Sequence, residues 1–142
     1  CGEVNFEHFA SVALINYNAQ KKTVQFSSAG TTPVFLYSAQ KQTIERKSLA
    51  SEPLGVEKTT SYKDIQFTVS PGDIIITYTV GLVEALDASG KQYSLNRLLN
   101  IVKTNSKSSG KQIADLVKAD MKKFVGSELL HDDQTLLAVK IQ

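Results

Sequence analysis

The segment Ile74-Ile75-Ile76-Thr77-Tyr78-Thr79 constrains this chain more than any other, because it has almost no polar alternation. A strand with one wet face alternates apolar and polar side chains, whereas a strand covered on both faces does not. Three consecutive β-branched isoleucines therefore predict a strand in the middle of a core, and Ser70-Pro71-Gly72-Asp73 marks the turn that feeds it. Chemistry is expected where this strand ends.

Such a strand needs neighbours, and the first half of the chain supplies them. Phe9 to Tyr17 is β-rich and ends in the turn-forming Asn18-Ala19-Gln20-Lys21-Lys22, with Thr23 to Ser28 as the return strand. Pro33 to Ser38 and Thr43 to Lys47 repeat this arrangement around Ala39-Gln40-Lys41-Gln42. Leu49 to Thr60, with Pro53 and Gly55, reads as a loop, and Tyr62 to Val69 alternates as a half-buried strand. Beyond the core strand the spacing becomes helical. Leu95, Leu98, Leu99 and Val102 follow the cap residue Ser94, and Ile113, Leu116, Val117, Met121 and Phe124 follow Ser109. Ser109 with Gln112 matches a capping box, Gly126 closes the second helix, and Thr135 to Ile141 forms a last strand. These patterns predict at least six mostly antiparallel strands and two helices, with no internal repeat.

The length of 142 residues and a hydrophobic share of 42% suit one soluble domain without a membrane-length apolar run. Sixteen Lys and Arg against fourteen Asp and Glu leave a formal charge of +2, scattered along the sequence, which argues against nucleic acid and direct membrane contact. Cys1 is the only cysteine and there are two histidines, so neither a disulfide framework nor a Cys/His zinc site can form within the chain, in keeping with a reducing, cytoplasmic setting. Cys1 is either the lipidated first residue of a mature lipoprotein or a point inside a longer protein. Val4, Phe6 and Phe9, standing where a polar spacer is expected, favour the second.

Three motifs in fixed order carry a family resemblance. They are Ala29-Gly30-Thr31-Thr32-Pro33, similar to A-G-H-x-P; Pro53-Leu54-Gly55-Val56, similar to P-L-G-[VI]; and Pro71-Gly72-Asp73 leading into Tyr78-Thr79-Val80-Gly81-Leu82-Val83-Glu84-Ala85, similar to Y-T-D-G-[LV]-x-E-A. The chain then ends in His131-Asp132-Asp133-Gln134-Thr135, similar to a terminal D-D-x-T before a buried strand. In this order they resemble the sporulation and sigma-factor-regulation branch, of stage II sporulation protein E type, of the metal-dependent serine/threonine protein phosphatase 2C family. The resemblance implies an α+β fold, an antiparallel β-sandwich with flanking helices, of which residues 1–142 form the C-terminal majority. It implies two Mn²⁺ or Mg²⁺ ions that activate a water against a phosphoserine or phosphothreonine protein, such as an anti-sigma-factor antagonist. It also implies that Asp132, with Asp133 as the alternative, is a metal ligand.

Two departures bear on that chemistry. The family's upstream G-D-x-x-D and D-x-x-G-H-G motifs do not occur in these residues, and Val80 stands at the metal aspartate of Y-T-D-G. A hydrocarbon offers a hard cation no lone pair. Asp73 lies at the far end of the strand, and Glu84 and Asp87 lie beyond the turn, Glu84 at a structural position. Adjacent residues in extended chain face opposite ways, so only one of Asp132 and Asp133 can face a metal, and the family pattern favours Asp132. The plain reading of both is a solvated loop. His131 reads as a histidine beside carboxylates rather than a catalytic base, His8 as an exposed or packing residue, and Thr31 as a turn residue at the family's histidine position. The chain alone is expected to bind metal weakly and to be inactive. The alternative function is a pseudo-phosphatase module that binds a partner without hydrolysis, and exposed strand edges predict a homodimer.

Overall fold

The computed structural model describes residues 9–57, 59–126 and 132–142. Cys1, His8 and His131 lie outside the described residues. The element order is β1 (Val12–Asn18), β2 (Thr23–Ala29), β3 (Val34–Ser38), β4 (Thr43–Lys47), β5 (Asp64–Thr68), β6 (Ile74–Tyr78), α1 (Val80–Glu84), α2 (Leu95–Thr104), α3 (Gly110–Val125) and β7 (Leu136–Lys140). This is the expected α+β class, with antiparallel sheets and helices. The contacts divide the chain into two units, Cys1–Pro33 with Ser48–Val69, and Val34–Lys47 with Ser70–Gln142.

The first unit holds a three-stranded antiparallel sheet in the order β1-β2-β5. Val24 and Phe26 on β2 are fully buried while Gln25 between them is exposed, the period of two that a strand with one wet face requires. The β1–β2 turn is held by the Lys21 N–H donating to Asn18 Oδ1 at 2.9 Å, and Lys22 takes a left-handed φ of 50°. Regular pairing in β1 begins at Val12 instead of Phe9, which is 69% exposed, and Ala10 makes only an isolated bridge to Leu54.

The second unit holds a four-stranded antiparallel sheet in the order β4-β3-β6-β7 with the three helices. Ile74, Ile75 and Ile76 are all buried at the centre of this sheet, as the missing alternation requires. The β3–β4 turn repeats the first one, with Lys41 N–H donating to Ser38 Oγ and Gln42 at φ 54°. Asn18-Ala19-Gln20-Lys21 and Ser38-Ala39-Gln40-Lys41 thus form a short local repeat that the reading of no internal repeat passed over. Phe35, Tyr37, Ile74, Ile76 and Tyr78 meet Leu98 and Val102 of α2 and Ile113, Val117, Met121 and Val125 of α3 in one core. The capping box forms, with Ser109 Oγ accepting from the Gln112 N–H and Gln112 Oε1 accepting from the Ser109 N–H.

Two expectations are corrected here. Leu116 is 41% exposed, because the line Ile113, Val117, Met121, Val125 faces the core and Leu116 falls off it. The last strand, expected to be buried, is an edge strand with Leu137 47% exposed.

The helices are tied together at Asp120 of α3. Arg97 of α2 donates to it through Nε at 2.7 Å and Nη2 at 2.9 Å, and the Tyr93 hydroxyl donates at 2.7 Å. The Arg97 guanidinium also lies over the rings of Tyr93 and Phe124. Hydrogen bonding from Arg97 holds the Asp120 carboxyl below its ordinary range, and burial, aided by Asp120, pushes the Tyr93 hydroxyl up. At the start of β6, Asp73 is buried and its carboxylate accepts from the backbone N–H groups of Ala39 and Ser70, both at 2.8 Å. That assigns Asp73 to turn structure.

Candidate functional site: the corner where β6 ends

The central strand ends at Tyr78, and the chain turns at Thr79 into the five-residue helix α1, which begins at Val80. No helix is predicted here from spacing. Its N-cap residue Thr79 makes no side-chain cap, because its hydroxyl is committed elsewhere. Thr79 Oγ1 donates to the Asp133 carbonyl at 3.0 Å and accepts from the Thr135 N–H at 2.9 Å, while the Thr79 N–H donates to the Thr135 carbonyl at 3.0 Å. The turn and the Asp132–Thr135 loop, 54 to 56 positions apart in sequence, are thereby clasped together. Gln134 Nε2 adds a longer contact of 3.4 Å to the Gly81 carbonyl.

Gly81 allows the approach. A Cβ at this position would lie 2.7 Å from the Asp133 carbonyl oxygen, 2.9 Å from Asp132 Cβ and 3.1 Å from Asp132 Cγ. The glycine is therefore required by a neighbour rather than by an unusual φ. Its contacts also separate the two aspartates. The Asp132 side chain lies against Gly81, and its Oδ1 accepts from the Asp133 N–H at 2.8 Å, whereas Asp133 meets the turn through its backbone carbonyl. Both residues are exposed, and Val80 beside them is 45% exposed. The structure thus brings Val80, Asp132 and Asp133 to one corner and leaves Asp73 at the other end of β6. Sequence reasoning missed Thr79, whose role rests on pairing with residues distant in the chain.

A hard divalent cation takes about six oxygen ligands, and a two-ion centre shares several carboxylates. Against that requirement this corner offers two carboxylates, one of them already accepting a backbone N–H, and hydrocarbon at position 80. Among the described residues no three His, Cys, Asp or Glu side chains converge to hold a metal. These residues do not fit a two-ion Mn²⁺ or Mg²⁺ centre, and no catalytic step is derived through one. Beside the corner, described residues line a groove of about 980 Å³, with Leu82, Val117 and Met121 as apolar lining, Asp132 and Asp133 on one wall and Lys118 and Lys122 of α3 on another.

In the first unit, two of the quoted motifs meet. Gly30, at φ 62°, sits so close to Pro53 that a Cβ would be 2.5 Å from Pro53 Cγ, and the Gly30 N–H donates to the Ser51 carbonyl at 3.2 Å. The A-G-x-x-P and P-L-G stretches are thus a matched pair of turns. Thr31 Oγ1, at the family's histidine position, is buried with no hydrogen-bond partner among the described residues.

No helix among the described residues is long and apolar enough to cross a membrane. The family model for stage II sporulation protein E (SpoIIE) matches residues 2–142. No curated protein matches the chain. Among solved structures it is similar to the SiaA-PP2C domain of Pseudomonas aeruginosa, with TM-score 0.79, 16% identity, and 92% of this chain and 51% of that one covered. It is similar also to the Mn-presoaked SpoIIE phosphatase domain of Bacillus subtilis, with TM-score 0.69, 17% identity, and 99% and 61% covered. The RsbU and RsbW domains of a Mycobacterium tuberculosis protein give TM-score 0.70, 22% identity, and 92% and 35% covered. The chain spans about half to three fifths of the first two chains it matches. At these identities the likeness is one of fold.

Proposed function

Because the chain belongs to the SpoIIE family and has the fold of the PP2C-type phosphatase domains, we propose that residues 1–142 are part of a serine/threonine protein phosphatase domain that recognises a phosphoserine or phosphothreonine regulatory protein, of the anti-sigma-factor antagonist kind, and does not itself hydrolyse it. The observation that carries this reading is Val80, half-exposed beside Asp132 at the end of the central strand. The Thr79 and Gly81 clasp keeps the corner in shape, while the position that would hold a cation with Asp132 is hydrocarbon. Asp132 is the residue proposed for any residual metal contact, with Asp133 as the alternative; the Asp132 side chain lying against Gly81 supports that order. A cytoplasmic location and self-association through the strands at the sheet edges belong to the same reading.

A catalytic reading needs the missing oxygen donors to come from other residues. Hydrolysis of para-nitrophenyl phosphate and of a phosphoserine peptide with excess Mn²⁺ separates the two. The expected result is no turnover. Turnover that is lost in Asp132→Ala and abolished by chelator would establish the catalytic reading instead.

A further inference from the structure

Counted by element, the charge that is scattered along the sequence concentrates on one helical pair. From Leu95 to Gly126, α2, α3 and the turn between them carry seven Lys and Arg against two Asp, a surplus of five, whereas the rest of the chain carries nine against twelve. Both aspartates are already engaged, Asp120 by Arg97 and Asp115 by Lys111. Lys103, Lys107, Lys118, Lys122 and Lys123 remain, all exposed and in no salt bridge among the described residues, Lys123 acting on Asp120 only at longer range. Lys103, Lys122 and Lys123 stand in the last turns of their helices, where they offset the helix dipole. Lys107 and Lys118 have no such position.

We propose that the outer face of α2 and α3 is a docking surface for an acidic protein partner. Besides these cations it carries one exposed large apolar side chain, Leu116. Leu116 and Lys123, seven apart, share one line of α3, and Lys118 and Lys122, four apart, share another. Nucleic acid fits this surface poorly. The unpaired cations are all lysine, Arg97 is held by Asp120, and Phe124, the one aromatic of α3, is packed edge-on against Tyr93. A bilayer fits it no better, because the apolar face of α3, Ile113, Val117, Met121 and Val125, is spent on the core. Lys118 and Lys122 also line the groove that Asp132 and Asp133 border, so the surface adjoins the corner at Val80.

Fluorescein-labelled poly-L-glutamate is the probe, titrated against the intact chain, with duplex DNA and phosphatidylcholine/phosphatidylserine vesicles as competing ligands. Binding is expected to weaken steeply as ionic strength rises through ~0.1 M. The triple variant Lys118→Glu, Lys122→Glu, Lys123→Glu is expected to bind roughly tenfold more weakly, and Leu116→Ala to bind more weakly than the parent. Lys21→Glu, Lys63→Glu, Lys91→Glu makes the same change in net charge elsewhere and is expected to leave binding nearly unchanged. Circular dichroism checks each fold, and Lys→Gln at positions 118, 122 and 123 replaces the reversal triple should that triple fail to fold, with a smaller loss expected. Equal weakening by the two triples, or tighter binding of DNA or vesicles than of poly-L-glutamate, would overturn the proposal.

Discussion

Gly81→Ala is expected to destabilise the chain, against the direction that helix propensity gives. Gly81 is the second residue of α1, where alanine alone would gain up to roughly 0.5–1 kcal/mol. The added methyl, however, would lie 2.7 Å from the Asp133 carbonyl oxygen and 2.9 Å from Asp132 Cβ. The nearer atom is backbone and is held by the Thr79 hydroxyl at 3.0 Å, so relief requires the loop to move and strains both bonds of that hydroxyl. Overpacking costs about 1–3 kcal/mol, and each hydrogen bond weakened costs up to about 1 kcal/mol. Set against the propensity gain, the net loss is about 1–2 kcal/mol, a fall in Tm of about 3–6 °C for a chain of this size. The chain has no tryptophan, so far-ultraviolet circular dichroism is the readout, in thermal and urea melts with an unchanged m-value. A Tm equal to or above that of the parent would refute the argument, because the loop would then yield without cost.

Three further outcomes follow from the same geometry. Asp73→Ala removes the acceptor of two backbone N–H groups at the start of β6 and is expected to cost about 2–3 kcal/mol in urea unfolding. Asp120 has its folded-state pKa depressed, so its contribution is present above its unfolded value of 3.8 and is lost as pH falls through the lower folded value. Asp120→Asn should therefore destabilise the chain at neutral pH and flatten the loss of stability below about pH 4; identical acid profiles for parent and variant would contradict this. Among the described residues β1, β5, β4 and β7 are edge strands, which predicts a concentration-dependent rise in mass by light scattering, against a strict monomer at all concentrations.

What was legible in the sequence was what depends on near neighbours. The Ile74–Ile76 run announced its own burial, both hairpin turns carried their turn residues, and Ser109 with Gln112 wrote the start of α3 in three positions. Helical spacing could not separate Leu116 from Val117, because both lie within the broad arc that apolar periodicity allows, and only the placement of α3 on the sheet decides which is covered. Helix α1 was equally hidden. It is five residues long, contains Gly81 and two valines, and is stabilised by Thr79 bonding to a loop more than fifty positions away. At the candidate site the hydrocarbon at Val80 was plain from the motif, but the contacts of Asp132 and Asp133 with Gly81 were not, since they join residues more than fifty positions apart.

The corner of Val80, Asp132 and Asp133 lacks the oxygen donors to hold a Mn²⁺ or Mg²⁺ ion by itself. Isothermal titration of this chain with Mn²⁺, beside Val80→Asp and Asp132→Ala, tests it most directly. The account predicts no binding tighter than roughly millimolar for the parent, little change on Asp132→Ala, and at most a modest gain in Val80→Asp, because a few carboxylates leave the ion largely in its water shell. Micromolar binding by the unmodified chain that disappears in Asp132→Ala would contradict it.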